Sequence, residues 1–288
     1  MWSAYLPDDG SAVLIEPAEK TGMRNAWGRV ATAYDELWAE RTSLFTHAGL
    51  DLLEPPPDAT GLDVECGPGH TAAALALRLP AGATTGVDFA PAMVERARER
   101  WSAVPRLEFD VDDAEHLSHA DASFDVVTSS FTLMYCYDAL GAIAHVGRVL
   151  RANGRALLLV WGPHHDVWWS PVIDIIERRA AYYSSVCPMM FFYGLPGVLP
   201  RMLEQVGLAV EAEVRLDSPM RYADVREAVS AAVLAGPLAG LFQNRLDDEA
   251  RASAWQEMTD GVTALATASP DGITLPAQVL AVVVRKAG

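Results

Sequence analysis

Leu62-Asp63-Val64-Glu65-Cys66-Gly67-Pro68-Gly69-His70-Thr71 is the stretch that decides how this chain reads. Gly61 to Val64 is a short apolar run, bounded by turn residues, and reads as a buried strand. Thr71 to Leu79 is alanine- and leucine-rich and reads as a helix. Gly67 and Gly69 between them supply a sharp turn and let a ligand approach the backbone without a Cβ in the way. The helix behind them offers unpaired N–H groups and the positive end of its dipole. Asp63 closes the strand, where its carboxylate can fix the loop or accept from a cationic amino group; the plainer reading is a turn-stabilising aspartate.

Outward from this unit, strands and helices alternate. A second strand runs from Ala83 to Val87 and ends at Asp88. Pro91 opens a helix to about Trp101, as proline does in a first turn. Strands follow near 106–111 and 124–129, a helix near 139–150, a turn at Asn153-Gly154 and a fifth strand over 155–161. Such alternation predicts a parallel sheet with helices on both faces. Upstream, residues 1–20 read as a loose arm. Residues 24–53 are helical, with Trp27, Val30, Tyr34, Leu37 and Trp38 on one stripe. Downstream come a helix over 199–206 ending at Gly207, a strand over 208–216, alanine-rich helix over 223–268 and a last strand within 273–285, the late strands forming an antiparallel, hairpin-like edge. The chain thus divides into a helical arm (1–58), an α/β core (59–163), an aromatic-rich cap (164–207) and edge strands with a helical insertion (208–288).

Composition narrows the partners. A net charge of −16 over 288 residues argues against a nucleic-acid backbone or an anionic membrane surface. Cys66, Cys136 and Cys187 are odd in number and widely spaced, which suits a reducing cytoplasm and not a disulfide framework. The N-terminus lacks a basic segment followed by an apolar one, so no signal peptide is expected. The longest apolar run, 228–242, is short for a membrane span and contains Pro237. Assembly as a homodimer is left open.

Asp88 stands 19 residues after Gly69. An acidic residue at that distance from a glycine turn accepts from ribose hydroxyls in doubly wound domains; a helix-capping aspartate is the alternative. Asp113 and Ala114, after the third strand, can accept from an adenine amino group and donate to a ring nitrogen. With LDVECGPGHTA (62–72), TTGVDFAPAMVERAR (84–98), DAEHL (113–117), SFDVV (123–127) and GRVLRANGRALLLVWGP (147–163) in order, the chain resembles the class I S-adenosylmethionine-dependent methyltransferases, in the small-molecule, ubiquinone-type branch. The resemblance implies a Rossmann-like, doubly wound seven-stranded sheet whose last strand is antiparallel, and S-adenosylmethionine as cofactor. It implies that Asp63, Glu65, Gly67 and Gly69 surround the methionine end, that Asp88 takes the ribose, that Phe89 and Met93 flank the adenine and that Asp113 with Ala114 reads its edge. Tyr34 would close over the cofactor and Ser129 would lie near the transferred methyl. One residue departs from the pattern: the family usually has glycine where this chain has Glu65. That carboxylate either finds a partner or fills the pocket, because a buried unpaired carboxylate is costly. A nicotinamide site fits Gly67-Pro68-Gly69-His70-Thr71-Ala72 formally, but Asp63 and the late edge strands favour the methyltransferase arrangement.

His164 and His165 follow the fifth strand, at the rim where a substrate would lie, and with Tyr193 are the candidate bases; no metal site is read. Trp168, Trp169, Tyr182, Tyr183, Met189, Met190, Phe191, Phe192 and Tyr193 crowd the cap. Their density predicts a lid over an apolar pocket, with Trp168, Trp169, Met189, Phe191 and Phe192 as its lining, and Pro188, Gly194, Pro196 and Gly197 as hinge and loop points. The expected activity is methylation of a bulky hydrophobic small molecule, polyketide- or quinone-like. The rival is an enzyme on the same fold that does not methylate, cyclase- or isomerase-like, with the cofactor site altered by Glu65.

Overall fold

The computed structural model describes residues 17–181, 189–234 and 239–288. Helix α1 (Pro17–Tyr34) runs through a π-helical segment, Asp35–Ala39, into α2 (Glu40–Leu53). The alternating unit follows as β1 (Thr60–Val64), α3 (His70–Arg78), β2 (Ala83–Asp88), α4 (Pro91–Trp101), β3 (Leu107–Val111), β4 (Phe124–Ser130), α5 (Ala139–Val149) and β5 (Leu150–Trp161). Beyond it lie α6 (Ser170–Ala180), α7 (Met189–Phe192), α8 (Val198–Gln205), β6 (Leu208–Asp217), β7 (Met220–Tyr222), α9 (Val225–Leu234), α10 (Ala239–Arg245), α11 (Asp248–Leu265), β8 (Thr267–Ser269), β9 (Gly272–Leu275) and β10 (Gln278–Lys286).

Seven strands form the main sheet in the order β3-β2-β1-β4-β5-β10-β6. All neighbours are parallel except β10, which is antiparallel to both β5 and β6. The α/β, doubly wound architecture expected from the alternation is the one observed. Its central strands are apolar because helices cover both faces; every residue from Leu62 to Val64 is buried. Strand order reverses between β1 and β4, and a crevice opens beyond the carboxyl ends of the strands at such a reversal.

The C-terminal strands differ from expectation. The single run read over 273–285 is split at Pro276: β9 pairs with β7 and β8 in a small second sheet, and β10 joins the main one. Proline has no N–H to give a ladder, so the run breaks there. The antiparallel edge expected of the late strands is present as β10 paired with β6, with β10 beside β5 and β6 outermost. Asn153 and Gly154 do turn the chain, Asn153 at φ +62°. They do so as a bulge inside β5, where the ladder with β4 jumps from Phe124↔Leu150 to Val126↔Arg155.

The aromatic cap is the largest correction. Trp168 (1% exposed), Trp169 and Phe191 are core residues. Trp169 packs edge-on against Trp38 and Trp161, with ring centroids 5.8 and 5.5 Å apart, and Phe131 stacks on Trp161 at 4.4 Å. These side chains join arm, sheet and cap into one body, because large rings bury most area when they meet one another. Tyr182, Tyr183, Cys187, Pro188 and Pro237 lie outside the described residues.

Candidate active site

Beyond the ends of β1, β2 and β3 is a cavity of about 610 Å³, walled by Tyr34, Glu65, Gly67, Asp88, Phe89, Met93, Asp113 and Ala114. Eight residues expected at a cofactor site are therefore brought to one hollow. Trp27, Phe131, Tyr135 and Cys136 close its apolar side. Trp27 sits edge-to-face with both Tyr34 (5.3 Å) and Tyr135 (4.9 Å), and so holds the arm over the crevice. A second, more polar hollow of about 390 Å³ adjoins it, lined by Thr42, Thr46, His70, Thr71 and the shared residues Tyr34, Glu65, Gly67, Ser130 and Phe131.

The loop after β1 explains why these groups converge. Gly67 (φ +53°) faces open space: a Cβ there would meet only Tyr34 Cε1, at 3.9 Å. Ligand approach is what that glycine permits. Gly69 (φ +86°) serves packing instead, since a Cβ would strike Phe109 Cζ and Trp101 Cδ1 at 2.8 Å. Asp88 ties the loop to β2. Its Oδ2 accepts from the Gly67 N–H and its Oδ1 from the Ala90 N–H, both at 2.8 Å. Burial pushes its carboxyl up to about 6. Each oxygen retains a lone pair for a further donor.

Besides Gly69, which borders neither hollow, two expected residues stand elsewhere. Asp63 lies beneath the loop, where its Oδ1 accepts from Thr128 Oγ1 at 2.7 Å. It ties β1 to β4 and is not part of either cavity wall. Burial raises its carboxyl to about 7, against the hydrogen bonds that Thr128 and the Ala72 amide donate. Ser129 is buried between Val64 and Leu158 in the sheet; its neighbour Ser130 lines both hollows. Successive strand residues face opposite ways, so a one-residue difference changes the side.

The candidate bases are not assembled around the hollow. His164 and His165 lie on a short turn after β5, His164 Nε2 beside Asp174 (3.0 Å) and His165 largely exposed. Tyr193 is buried, and desolvation drives its hydroxyl above the usual range. None of the three, nor Trp168, Trp169, Met189, Phe191 or Phe192, borders either cavity. Sequence reasoning also missed Lys20, Glu115, Thr132, Tyr135 and Cys136. Trp27 and Tyr34 stand seven residues apart on one helical stripe, a signal that could have paired them as a wall.

A second network anchors the arm. Asp35, in the π-helical segment, is buried and accepts from His70 Nε2 (2.7 Å), Arg96 Nε (2.7 Å) and Arg100 Nη1 (3.3 Å). Burial pushes its carboxyl up, but the hydrogen bonds from His70 and Arg96 outweigh that and hold it below the usual carboxylate range. π-Helical turns gather at functional sites, and this one fixes Tyr34 above the glycine loop.

Residues 62–154 match the model of the methyltransferase domain family. Over 203 residues the chain is 32% identical to the 2-phytyl-1,4-naphtoquinone methyltransferase of Thermosynechococcus vestitus, covering 65% of this chain and 90% of that protein. The chain belongs to the class I S-adenosylmethionine-dependent methyltransferase family. It is also 28% identical to the nocamycin O-methyltransferase of Saccharothrix syringae, across 90% of this chain and 98% of that one. Other curated methyltransferases match over about half of their own length. Among solved structures, the [4+2]-cyclase SpnF aligns with a TM-score of 0.56 at 18% identity, covering 87% of this chain and 82% of that one, a likeness of fold.

S-Adenosylmethionine is the cofactor of this methyltransferase, and the first hollow fits it in outline. The space over Gly67 that a Cβ would fill, the free lone pairs of Asp88 and the apolar flank of Phe89 and Met93 match the loop, sugar and base parts of an adenosyl group. Glu65 is the one discord. Its residue is left-handed (φ +56°). Its Oε1 accepts from the Ala114 N–H at 2.9 Å and its Oε2 from the Phe89 N–H at 3.2 Å. The carboxylate is thus partnered, by the Ala114 amide expected to read the base and by the amide of Phe89, expected to flank it. Burial first, and the Asp88 charge second, push its carboxyl well above the usual range.

Proposed function

We propose that this methyltransferase acts on a bulky hydrophobic small molecule of polyketide- or quinone-like character, and that the nucleophile is an acidic hydroxyl or enol. When bound, S-adenosylmethionine supplies an electrophilic methyl group on a sulfonium. The chain's own residues align and shield: Asp88 and the Gly67 loop hold the sugar side, while Trp27, Tyr34, Phe131 and Tyr135 exclude water from the reacting end. The observation that carries the reading is the aromatic wall facing the glycine loop across one hollow.

An acidic nucleophile suits walls whose carboxyls are already bonded to the loop amides and to Lys20. Burial raises the Cys136 thiol and the Tyr34 hydroxyl, so neither ionises near neutrality. Among the described residues, the one imidazole on either wall is His70, and its Nε2 is committed to Asp35. A substrate that ionises by itself needs no base from this wall. The relatives named for naphthoquinone and nocamycin methylation support a bulky apolar substrate. The test is incubation with methyl-labelled S-adenosylmethionine and a panel of quinols, polyketide phenols and matched aliphatic alcohols. Label should enter phenols and quinols and not the alcohols. Equal labelling of the alcohols would overturn the nucleophile assignment. Conversion of substrate with no label entering any product would favour the non-methylating reading.

A further inference from the structure

Three groups at the base end of the hollow are already engaged by the protein itself. The Phe89 and Ala114 amides donate to the two oxygens of Glu65. Asp113 Oδ2 receives Lys20 Nζ at 2.6 Å, and Glu115 takes the same ammonium. Among the described residues lining this hollow, Lys20 is the one basic side chain. Together the two side chains present a pair of adjacent acceptors to two N–H groups and a donor to one carboxylate. An aminopurine edge offers the same pattern, two ring nitrogens flanking one carbon and an exocyclic amino group.

We propose that Glu65, assisted by Lys20, is an intramolecular surrogate for adenine, which the cofactor's base must displace, and that Glu65 thereby sets the affinity and base selectivity of the site. The proposal rests on the adenosyl reading of the hollow. Two observations carry it beyond a loop carboxylate satisfying itself. Glu65 holds a left-handed backbone that disfavours side chains other than glycine and asparagine, so the chain tolerates strain to place a carboxylate there. It also borders both hollows, so the displaced carboxylate has the polar space lined by Thr42, Thr46 and Thr71 to swing into. The native chain should bind the adenosyl group weakly for its family, because each amide must be released from its Glu65 oxygen before it meets a ring nitrogen.

Calorimetric titration of the full chain with S-adenosylhomocysteine and with 5′-methylthioadenosine tests this, on the native protein and on Glu65→Gly and Lys20→Met. Glycine suits the backbone at position 65, so that variant should fold; its thermal melt confirms it. Glu65→Gly should bind both ligands at least about tenfold more tightly, and Lys20→Met should gain less. Because methylthioadenosine has the base but no amino-acid end, an equal gain on both ligands locates the effect at the base. A gain confined to S-adenosylhomocysteine would overturn the surrogate role, placing Glu65 against the amino-acid end. Unchanged or weaker binding by a folded Glu65→Gly, with the native chain binding, would overturn it outright. Failure of every folded form to bind either ligand would overturn the adenosyl reading itself, and the surrogate with it.

Discussion

Replacing Asp35 with alanine should loosen the arm and weaken the site together. The carboxylate is buried, while its arginine partners are about a quarter to a third exposed and rehydrate once released. The main loss is therefore the bond from His70, whose imidazole is only 12% exposed and which burial keeps neutral, so that Nε2–H is the donor. A hydrogen bond to a charged group contributes about 2 kcal/mol, and leaving His70 without an acceptor adds to the cost. The expected loss is about 2–3 kcal/mol, or a Tm lower by about 5 °C for a chain of this size. Urea unfolding followed by tryptophan fluorescence reads it, with Asp51→Ala as control. Asp51 pairs with Arg78 but is 72% exposed, and its loss should cost less than about 0.5 kcal/mol. Tyr34 adjoins Asp35 and lines both hollows, so the variant should also bind S-adenosylhomocysteine less tightly. Stability within about 1 kcal/mol of the native chain would refute the anchoring argument.

The two loop glycines should separate stability from binding. Gly69→Ala forces a Cβ into Phe109 and Trp101 and should cost about 2 kcal/mol or more; Gly67→Ala should cost about 1 kcal/mol for its left-handed backbone yet impair cofactor binding, because its methyl enters the hollow, and equal losses in both assays would contradict the division. Asp63 and Asp88 hold protons more tightly folded than unfolded, Asp63 titrating near 7 and Asp88 near 6. Their contribution is greatest at low pH and is lost as pH rises through those values. Unfolding free energy should fall as pH rises from about 4 to about 7, and Asp63→Asn, which keeps an acceptor for Thr128, should flatten that fall; an unchanged slope would contradict the burial argument.

Part of the site is legible in the sequence because it rests on local rules. Glycine at 67 and 69, proline at 91 and the acidic ends of β2 and β3 each impose a backbone or a charge at a fixed distance along the chain, and the periodicity between them places most core strands within a residue or two. Ser129 is misplaced by such reasoning because a strand's pattern does not say which of two adjacent serines faces the hollow. The cap aromatics mislead because density along the chain cannot distinguish a pocket lining from a core; both need large apolar rings, and only the positions of Trp38, Phe131 and Trp161 decide between them.

The sequence by itself determined the alternating sheet, the glycine loop and the acidic residues at its strand ends, since these depend on residues close together in the chain. Only the tertiary structure decided that β10 slips between β5 and β6, that Asp35 gathers His70, Arg96 and Arg100, and that Glu65 caps the amides of Phe89 and Ala114. Those contacts join residues 24 to 65 positions apart, or strands as far apart in the chain as Leu150–Trp161 and Gln278–Lys286. No local propensity encodes such meetings; burial of apolar faces brings the groups together, and the low polarity there makes an unpartnered charged group costly.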